Sequence, residues 1–203
     1  MGKIAIINCS HENKKQIDEV IDIFTHYFLL NHIETETIRI SNLRIAACTE
    51  CKVCMQLPGE TPVKCFMHDN MDDIIDKMES ANAFIFLSDT TSMFSANEVF
   101  QKFSKRLAAY YYWPFGTKSS THRKKVHNKT SILVNYNTTM GFFKSSYLVA
   151  LEQLKTNSIA VGAEPVAQIT LKPSKNPHNF KSLYKKELEI SAEKLLKSLT
   201  INS

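Results

Sequence analysis

Apolar residues along this chain of 203 residues fall into two recurring patterns. Runs such as KIAIINCS (3–10) and NAFIFLS (82–88) are short, nearly continuous and rich in β-branched or aromatic residues, which is typical of strands buried on both faces. Segments such as KKQIDEVIDIFTHYFLLN (14–31) carry apolar residues every three or four positions, which predicts amphipathic helices. The patterns therefore predict strands and helices in alternation.

Five predicted strands are each followed by a helix, and the second helix comes after an intervening loop. Ser95, with Glu98 three residues later, is expected to cap the third helix in a capping box. In chain order, the strands are 3–10, 34–40, 82–88, 129–136 and 164–171, and the helices are 14–31, 69–81, 95–113, 144–162 and 178–199.

Strands that each lead into a helix predict a parallel sheet covered on both faces by right-handed crossovers. The predicted fold class is α/β, a three-layer sandwich formed by a single domain over residues 1–203. With five strands, the natural strand order is 2-1-3-4-5, that of the flavodoxin-like fold.

Ligands of such sheets bind beyond the carboxyl ends of the strands, at the switch point between the first and third strands. Three loops are expected at that edge: 8–16, 88–95 and 135–143. The first joins a strand to a helix N-terminus and offers an anion site, although an ordinary polar turn would look the same. The other two are rich in hydroxyl and amide groups that could bind the polar edge of a planar heterocycle. Together the loops indicate a phosphorylated aromatic ligand.

The net charge of +5 is mild, and the basic residues gather in KSSTHRKKVHNK (118–129) and in the C-terminal helix. We expect a solvated basic loop there and no nucleic-acid partner, because a nucleic-acid footprint usually shows more clustering or a known motif. The longest apolar runs have the length of strands, so no membrane partner is expected. The start of the sequence shows no export signal, which predicts a cytoplasmic location.

A cysteine-rich loop, residues 46–68, follows the second strand. Three of its cysteines stand at two-residue gaps and the fourth follows ten residues later, an arrangement that could hold an iron–sulfur cluster or, less typically, zinc. A thiol–disulfide switch and packed thiols without a metal are the other interpretations. The cysteines are Cys48, Cys51, Cys54 and Cys65.

Several motifs in this order resemble one family over roughly residues 3–171. They are the phosphate-loop start Asn8–Ser10, the four cysteines followed by HDNM (68–71), Ser88 with FQKFSKR (100–106), YYYWPFG (110–116), a lysine-led strand (129–136) and a Thr-Thr-x-Gly turn (138–141). The chain thus resembles the NAD(P)H-dependent FMN reductases of the flavodoxin-like superfamily, particularly the branch related to iron–sulfur flavoproteins.

The resemblance implies an oxidoreductase in which NAD(P)H delivers hydride to FMN, which then reduces a small-molecule acceptor such as free flavin or a quinone. It also implies a homodimer or higher homo-oligomer, a structural role for Arg106, and cysteines that stand as thiols without a metal more often than as ligands of an iron–sulfur cluster. Hydride transfer to flavin needs no general acid or base, so no catalytic side chain is expected. The residues expected to bind FMN are Ser10, His11, Asn13, Lys15, Gln16, Ser88, Asp89, Thr90, Thr91, Ser92, Met93, Asn137, Thr138, Thr139 and Gly141.

The sequence departs from the family pattern in two loops. Cys9, His11 and Glu12 replace the glycine, proline and arginine of the phosphate loop, and Asp89 and Thr91 replace a proline and a tyrosine in the second loop. Two alternatives therefore stay open. One is an electron carrier that binds flavin without oxidising NAD(P)H. The other is a flavodoxin-fold protein that has lost flavin binding and acts through protein contacts.

Overall fold

The computed structural model describes residues 2–11, 14–90, 97–124, 128–138, 144–174 and 179–201, without the side chains of 144–149 and 201. Strands and helices alternate along it as the sequence predicts. The strands are β1 (Lys3–Asn8), β2 (Glu34–Arg39), β3 (Ala83–Thr90), β4 (Tyr111–Tyr112), β5 (Thr121–His122), β6 (Lys129–Asn137) and β7 (Ala163–Leu171). The α-helices are α1 (Lys15–Leu30), α2 (Val53–Gln56), α3 (Met71–Ser80), α4 (Glu98–Arg106), α5 (Lys144–Ala160) and α6 (Phe180–Ile201).

The five long strands form one parallel sheet in the order β2-β1-β3-β6-β7. Numbered among themselves, these strands have the order 2-1-3-4-5. The predicted fold class and strand order are therefore confirmed. The extent of a single domain over residues 1–203 stays a prediction.

The sheet is covered on both faces because successive side chains of a strand point to opposite sides. In β1, Ile4 and Ile6 join the apolar cluster formed with α1 and α6. Ala5 and Ile7 join the cluster formed with α3, α4 and α5. The central strands consequently read as continuous apolar runs, the feature that predicted them.

The third predicted helix, 95–113, is shorter in the structure and is followed by a hairpin. Helix α4 covers only Glu98–Arg106, a 3-10 turn follows at Leu107–Tyr110, and β4 then pairs with β5 in an antiparallel two-stranded ribbon. The expected cap was wrong as well. Asn97 is the N-cap, and its side-chain oxygen accepts a hydrogen bond from the backbone N–H of Phe100 at 2.8 Å.

The basic segment 118–129 is not the uniformly solvated loop that the sequence suggested. Arg123 is only 4% exposed and Lys129, the first residue of β6, is half-buried. Both donate to backbone carbonyl oxygens, which gives their polar groups partners inside the fold. Among the described residues, none of the helices combines the length and the apolar character that a membrane crossing requires.

Candidate functional site

The carboxyl ends of β1, β3 and β6 meet at one edge of the sheet. Parallel pairing places Asn8 of β1 beside Leu87 of β3, and Asp89 of β3 beside Tyr136 of β6. A hydrogen bond from Cys9 N–H to the Leu87 carbonyl, 2.8 Å long, extends the first pairing beyond β1. The described parts of the three predicted loops therefore lie together, at the edge where flavodoxin-like sheets bind ligands.

The first loop begins with a tight polar turn. The Asn8 side-chain oxygen accepts hydrogen bonds from the backbone N–H of Ser10 at 3.0 Å and from its hydroxyl at 2.6 Å. Helix α1 begins at Lys15 without a side-chain cap on its first turn. The backbone N–H of His11 and the amino group of Lys14 lie close together before the first turn of α1, an arrangement suited to an anion.

Asp89, at the end of β3, is the acceptor for these donors. Its Oδ1 accepts from the backbone N–H of His11 at 3.0 Å, and its Oδ2 accepts from Lys14 Nζ at 2.7 Å. Asn97 Nδ2 donates to Oδ1 at 2.7 Å and also to the Cys9 carbonyl at 2.8 Å. The Asp89 side chain is fully buried. A carboxylate of the protein itself thus lies where the first loop directs its donors.

The ends of β3 and β6 are joined by side-chain hydrogen bonds. The Thr90 carbonyl accepts from the backbone N–H of Thr138 at 3.2 Å and from its hydroxyl at 3.0 Å, and the Thr90 hydroxyl donates to Asn135 Oδ1 at 2.9 Å. Among the described residues, the buried Ser88 Oγ and Asn135 Nδ2 have no hydrogen-bond partner. This edge therefore carries polar groups with hydrogen-bonding capacity still to satisfy.

The structure brings together seven of the fifteen predicted binding residues: Ser10, His11, Ser88, Asp89, Thr90, Asn137 and Thr138. Gln16 lies in the first turn of α1. Lys15 is exposed, with its Nζ 4.0 Å from Glu19 Oε1. The remaining six residues, Asn13, Thr91, Ser92, Met93, Thr139 and Gly141, lie outside the described residues.

Sequence reasoning placed neither Lys14 nor Asn97 among the binding residues. Both approach Asp89 from different elements, Lys14 from the residue before α1 and Asn97 from the N-cap of α4. Asn97 could have been recognised as a cap, because asparagine is among the preferred N-cap residues. Its second hydrogen bond, to the Cys9 carbonyl, has no signal in the sequence.

The four cysteines of the loop line one pocket of about 200 Å³. Apolar side chains, including Met55, Met67 and Met71, form much of its wall, and Lys105 and Arg106 lie at its edge. Among the residues that the structure describes, no three His, Cys, Asp or Glu side chains are grouped so that they could hold a metal ion. The four thiols thus line one pocket but are not arranged as the ligands of a metal ion. The interpretation without a metal stays a prediction.

The thiols differ in their electrostatic surroundings. The backbone N–H of Val53 and the hydroxyl of Thr49 lower the pKa of the exposed Cys51 from its ordinary value. Burial raises the pKa of Cys54, and the neighbouring cysteines add to that effect. Since the thiolate is the nucleophile, we expect Cys51 to react more readily than Cys54.

Two buried arginines fix the cysteine-rich loop to the rest of the fold. Arg106 donates to the carbonyl of Ala46, the first residue of the loop, at 3.1 Å. Its two terminal guanidinium nitrogens also bind Asp69, the residue after the loop, at 2.6 and 3.1 Å, and both side chains are 2% exposed. Arg123 donates to the carbonyls of Cys54 at 2.7 Å and Gly59 at 3.0 Å. The contacts of Arg106 agree with the structural role expected for it. Those of Arg123 were missed, because the surrounding basic segment resembles a surface loop.

Comparisons with known proteins bear on the fold. No protein-family model matches the chain, and neither does any curated protein sequence. Solved structures do match it at 10–14% sequence identity. The chain has a flavodoxin-like fold.

Three of these structures illustrate the range of proteins that share it. An FMN-dependent NADH-azoreductase from Bacillus anthracis, in complex with FMN, has a TM-score of 0.66 at 14% identity, covering 96% of this chain and 99% of its own. An NAD(P)H:quinone oxidoreductase from Methanothermobacter marburgensis has a TM-score of 0.66 at 11% identity, covering 94% and 97%. A short-chain flavodoxin associated with a bacterial microcompartment has a TM-score of 0.60 at 11% identity, covering 98% and 99%.

Proposed function

We propose that the chain is a flavin-dependent oxidoreductase that uses FMN and NAD(P)H to reduce a small-molecule acceptor such as a flavin or a quinone. The observation that carries the proposal is the meeting of three polar loop ends at the carboxyl edge of β1, β3 and β6. Flavodoxin-like sheets bind FMN at this switch point. The neighbouring azoreductase and quinone oxidoreductase, which share the fold, support the same class of activity.

The residues at this edge suit the parts of FMN in different ways. The N–H of His11 and the amino group of Lys14 already bind a carboxylate, so this end of the site is competent to bind an anion. Thr138, which is only partly buried, would present its hydroxyl to the polar edge of an isoalloxazine ring, whereas Ser88 and Asn135 are fully buried beside it in the sheet. Bound FMN would supply the hydride chemistry, while these side chains would bind and orient it.

The first experiment is an FMN titration of the purified full-length protein, followed by addition of NADPH under anaerobic conditions. We expect flavin bands at about 370 and 450 nm, typical of bound flavin, and their loss when NADPH is added. Flavin uptake without bleaching by NADPH or NADH would instead identify an electron carrier. Failure to take up FMN would contradict the proposed function and leave the flavin-free alternative.

We also propose that the protein is a homodimer. The large apolar side chains of Val53, Leu57 and Phe66 on the cysteine-rich loop, and Phe115 beyond β4, are at least half exposed. The two segments contact each other, since the backbone N–H of Trp113 donates to the Met55 carbonyl at 2.7 Å. Sedimentation of the purified protein at several concentrations measures the oligomeric state, and a monomer throughout would contradict this proposal.

A further inference from the structure

Asp89 accepts hydrogen bonds from His11 and Lys14, two residues of the loop that is expected to bind the flavin phosphate. We propose that its carboxylate is a resident anion, which a phosphate must displace before flavin binds fully. The inference rests on the proposed function and adds to it. The phosphate would then contribute little to affinity, and the flavin would be exchanged readily instead of being held as a permanent group.

The geometry supports exchange because the Asp89 carboxylate uses the donors that a phosphate would need. The backbone N–H of His11 and the amino group of Lys14 donate to different oxygens of Asp89. Lys14 retains only 18% exposure in this pair and Asp89 is fully buried. Neither group can make full hydrogen bonds to a phosphate and to the Asp89 carboxylate at the same time.

The charges around the loop point the same way. The ion pair with Asp89 already neutralises Lys14, and Lys15, 72% exposed, lies beside Glu19. A phosphate monoester carries between one and two negative charges at neutral pH. Bringing it beside a buried carboxylate is repulsive, because the two charges interact strongly where water is excluded. Phosphate binding therefore requires the Asp89 carboxylate to give up these donors.

Asn97 keeps Asp89 in this position. Its amide donates to Asp89 Oδ1, while its own oxygen accepts from the Phe100 N–H as the N-cap of α4. The carboxylate is thus held by three donors from two different elements. Charge-assisted hydrogen bonds of this kind are strong, so a phosphate must displace a firmly held carboxylate.

The test compares FMN with riboflavin, which has the same ring system without the phosphate. Dissociation constants are measured by flavin fluorescence for the full-length wild type, for Asp89→Asn and for the control Asp76→Asn. Asp76 is 61% exposed on α3, where it pairs with Lys64, so the control makes the same substitution on a helix that contributes no residue to the site. Circular dichroism checks that each variant folds.

We expect the wild type to bind FMN and riboflavin with dissociation constants within about threefold of each other. Asp89→Asn should tighten FMN binding by about tenfold or more and leave riboflavin within about threefold, because Lys14 becomes available to the phosphate. Asp76→Asn should change neither constant appreciably.

A second variant, Lys14→Gln, tests the exchange itself. With Asp89 present, Lys14 pairs with a carboxylate before FMN binds and with the phosphate afterwards. Its removal weakens both states, so FMN affinity should change by less than about threefold. In the Asp89→Asn background, the same substitution should weaken FMN by about tenfold. If Asp89→Asn does not fold, the single variant Lys14→Gln is the test. Loss of FMN binding with riboflavin binding unchanged in that variant would overturn the inference.

Two results separate the inference from the function on which it rests. Wild-type protein that prefers FMN over riboflavin by about tenfold, with no gain in Asp89→Asn, would overturn the role of Asp89 while leaving flavin binding intact. Wild-type and variant proteins that bind neither flavin would overturn the proposed function, and the inference would fall with it.

Discussion

Asp89 and Lys14 lie 75 positions apart in the sequence and form an ion pair in the structure. The sequence placed Asp89 in the right loop, since a polar run at the end of a buried strand marks the binding edge. It could not show that the side chain turns toward the first loop. Which acid meets which lysine depends on the strand order and on the direction of each side chain, and neither is encoded locally.

The thiols give a prediction at the same scale. A brief pulse of iodoacetamide on the native protein should alkylate Cys51 first, because its pKa is lowered and it is exposed. Cys9 should react last, because burial and the nearby Asp89 raise its pKa well above the ordinary value. Peptide mass spectrometry measures the order. Faster labelling of Cys54 than of Cys51 would contradict the assignment.

Lys129 gives a prediction about pH. Burial lowers its pKa from 10.5 to about 8, so between these two values the unfolded chain holds a proton that the folded chain has released. The free energy of unfolding therefore gains a contribution from this residue as pH rises from about 8 toward 10.5, and below about pH 8 burial of the charge is a constant cost. Urea unfolding of the wild type and of Lys129→Met at several pH values should show the wild type gaining stability relative to the variant through that window. Parallel curves would contradict the lowered pKa.

At the scale of elements, the central strands were predictable as continuous apolar runs, and helices such as α1 by apolar residues at every third or fourth position. The β4–β5 ribbon was missed because its strands are only two residues long, too short to show a period. The helix cap was misplaced because Ser95 and Asn97 are both good caps in the sequence, and only the structure shows which side chain meets a free N–H. The cysteine-rich loop was located correctly, but its attachment through Arg106 and Arg123 depends on long-range contacts.

The attachment of that loop predicts a specific stability loss. Arg106→Ala should lower the free energy of unfolding by about 3–5 kcal/mol, because it leaves the carboxylate of Asp69 buried without its partner. Lys105→Ala removes a neighbouring ion pair with Glu50 in which both side chains are more than half exposed, so it should leave stability nearly unchanged. Chemical denaturation measures both variants. Equal losses would show that the buried pair has no special role.

At the scale of the whole molecule, the alternation of strands and helices was enough to predict the parallel sheet and its order. It also predicted the edge at which three polar loops meet. The chemistry of that edge was less predictable, because a flavodoxin-like sheet can carry many different sites. The sequence shows Asp89 at the end of the third strand, but its contacts with His11 and Lys14 were visible only in the structure.

The central claim is that flavin binds at the carboxyl ends of β1, β3 and β6. A titration of isotopically labelled protein with FMN, followed by amide NMR shifts, tests it most directly. We expect the largest shifts at the backbone N–H groups of Ser10, His11, Thr90 and Thr138, which lie at the three loop ends. Shifts confined to the pocket lined by the four cysteines, or no shifts at saturating FMN, would contradict the account.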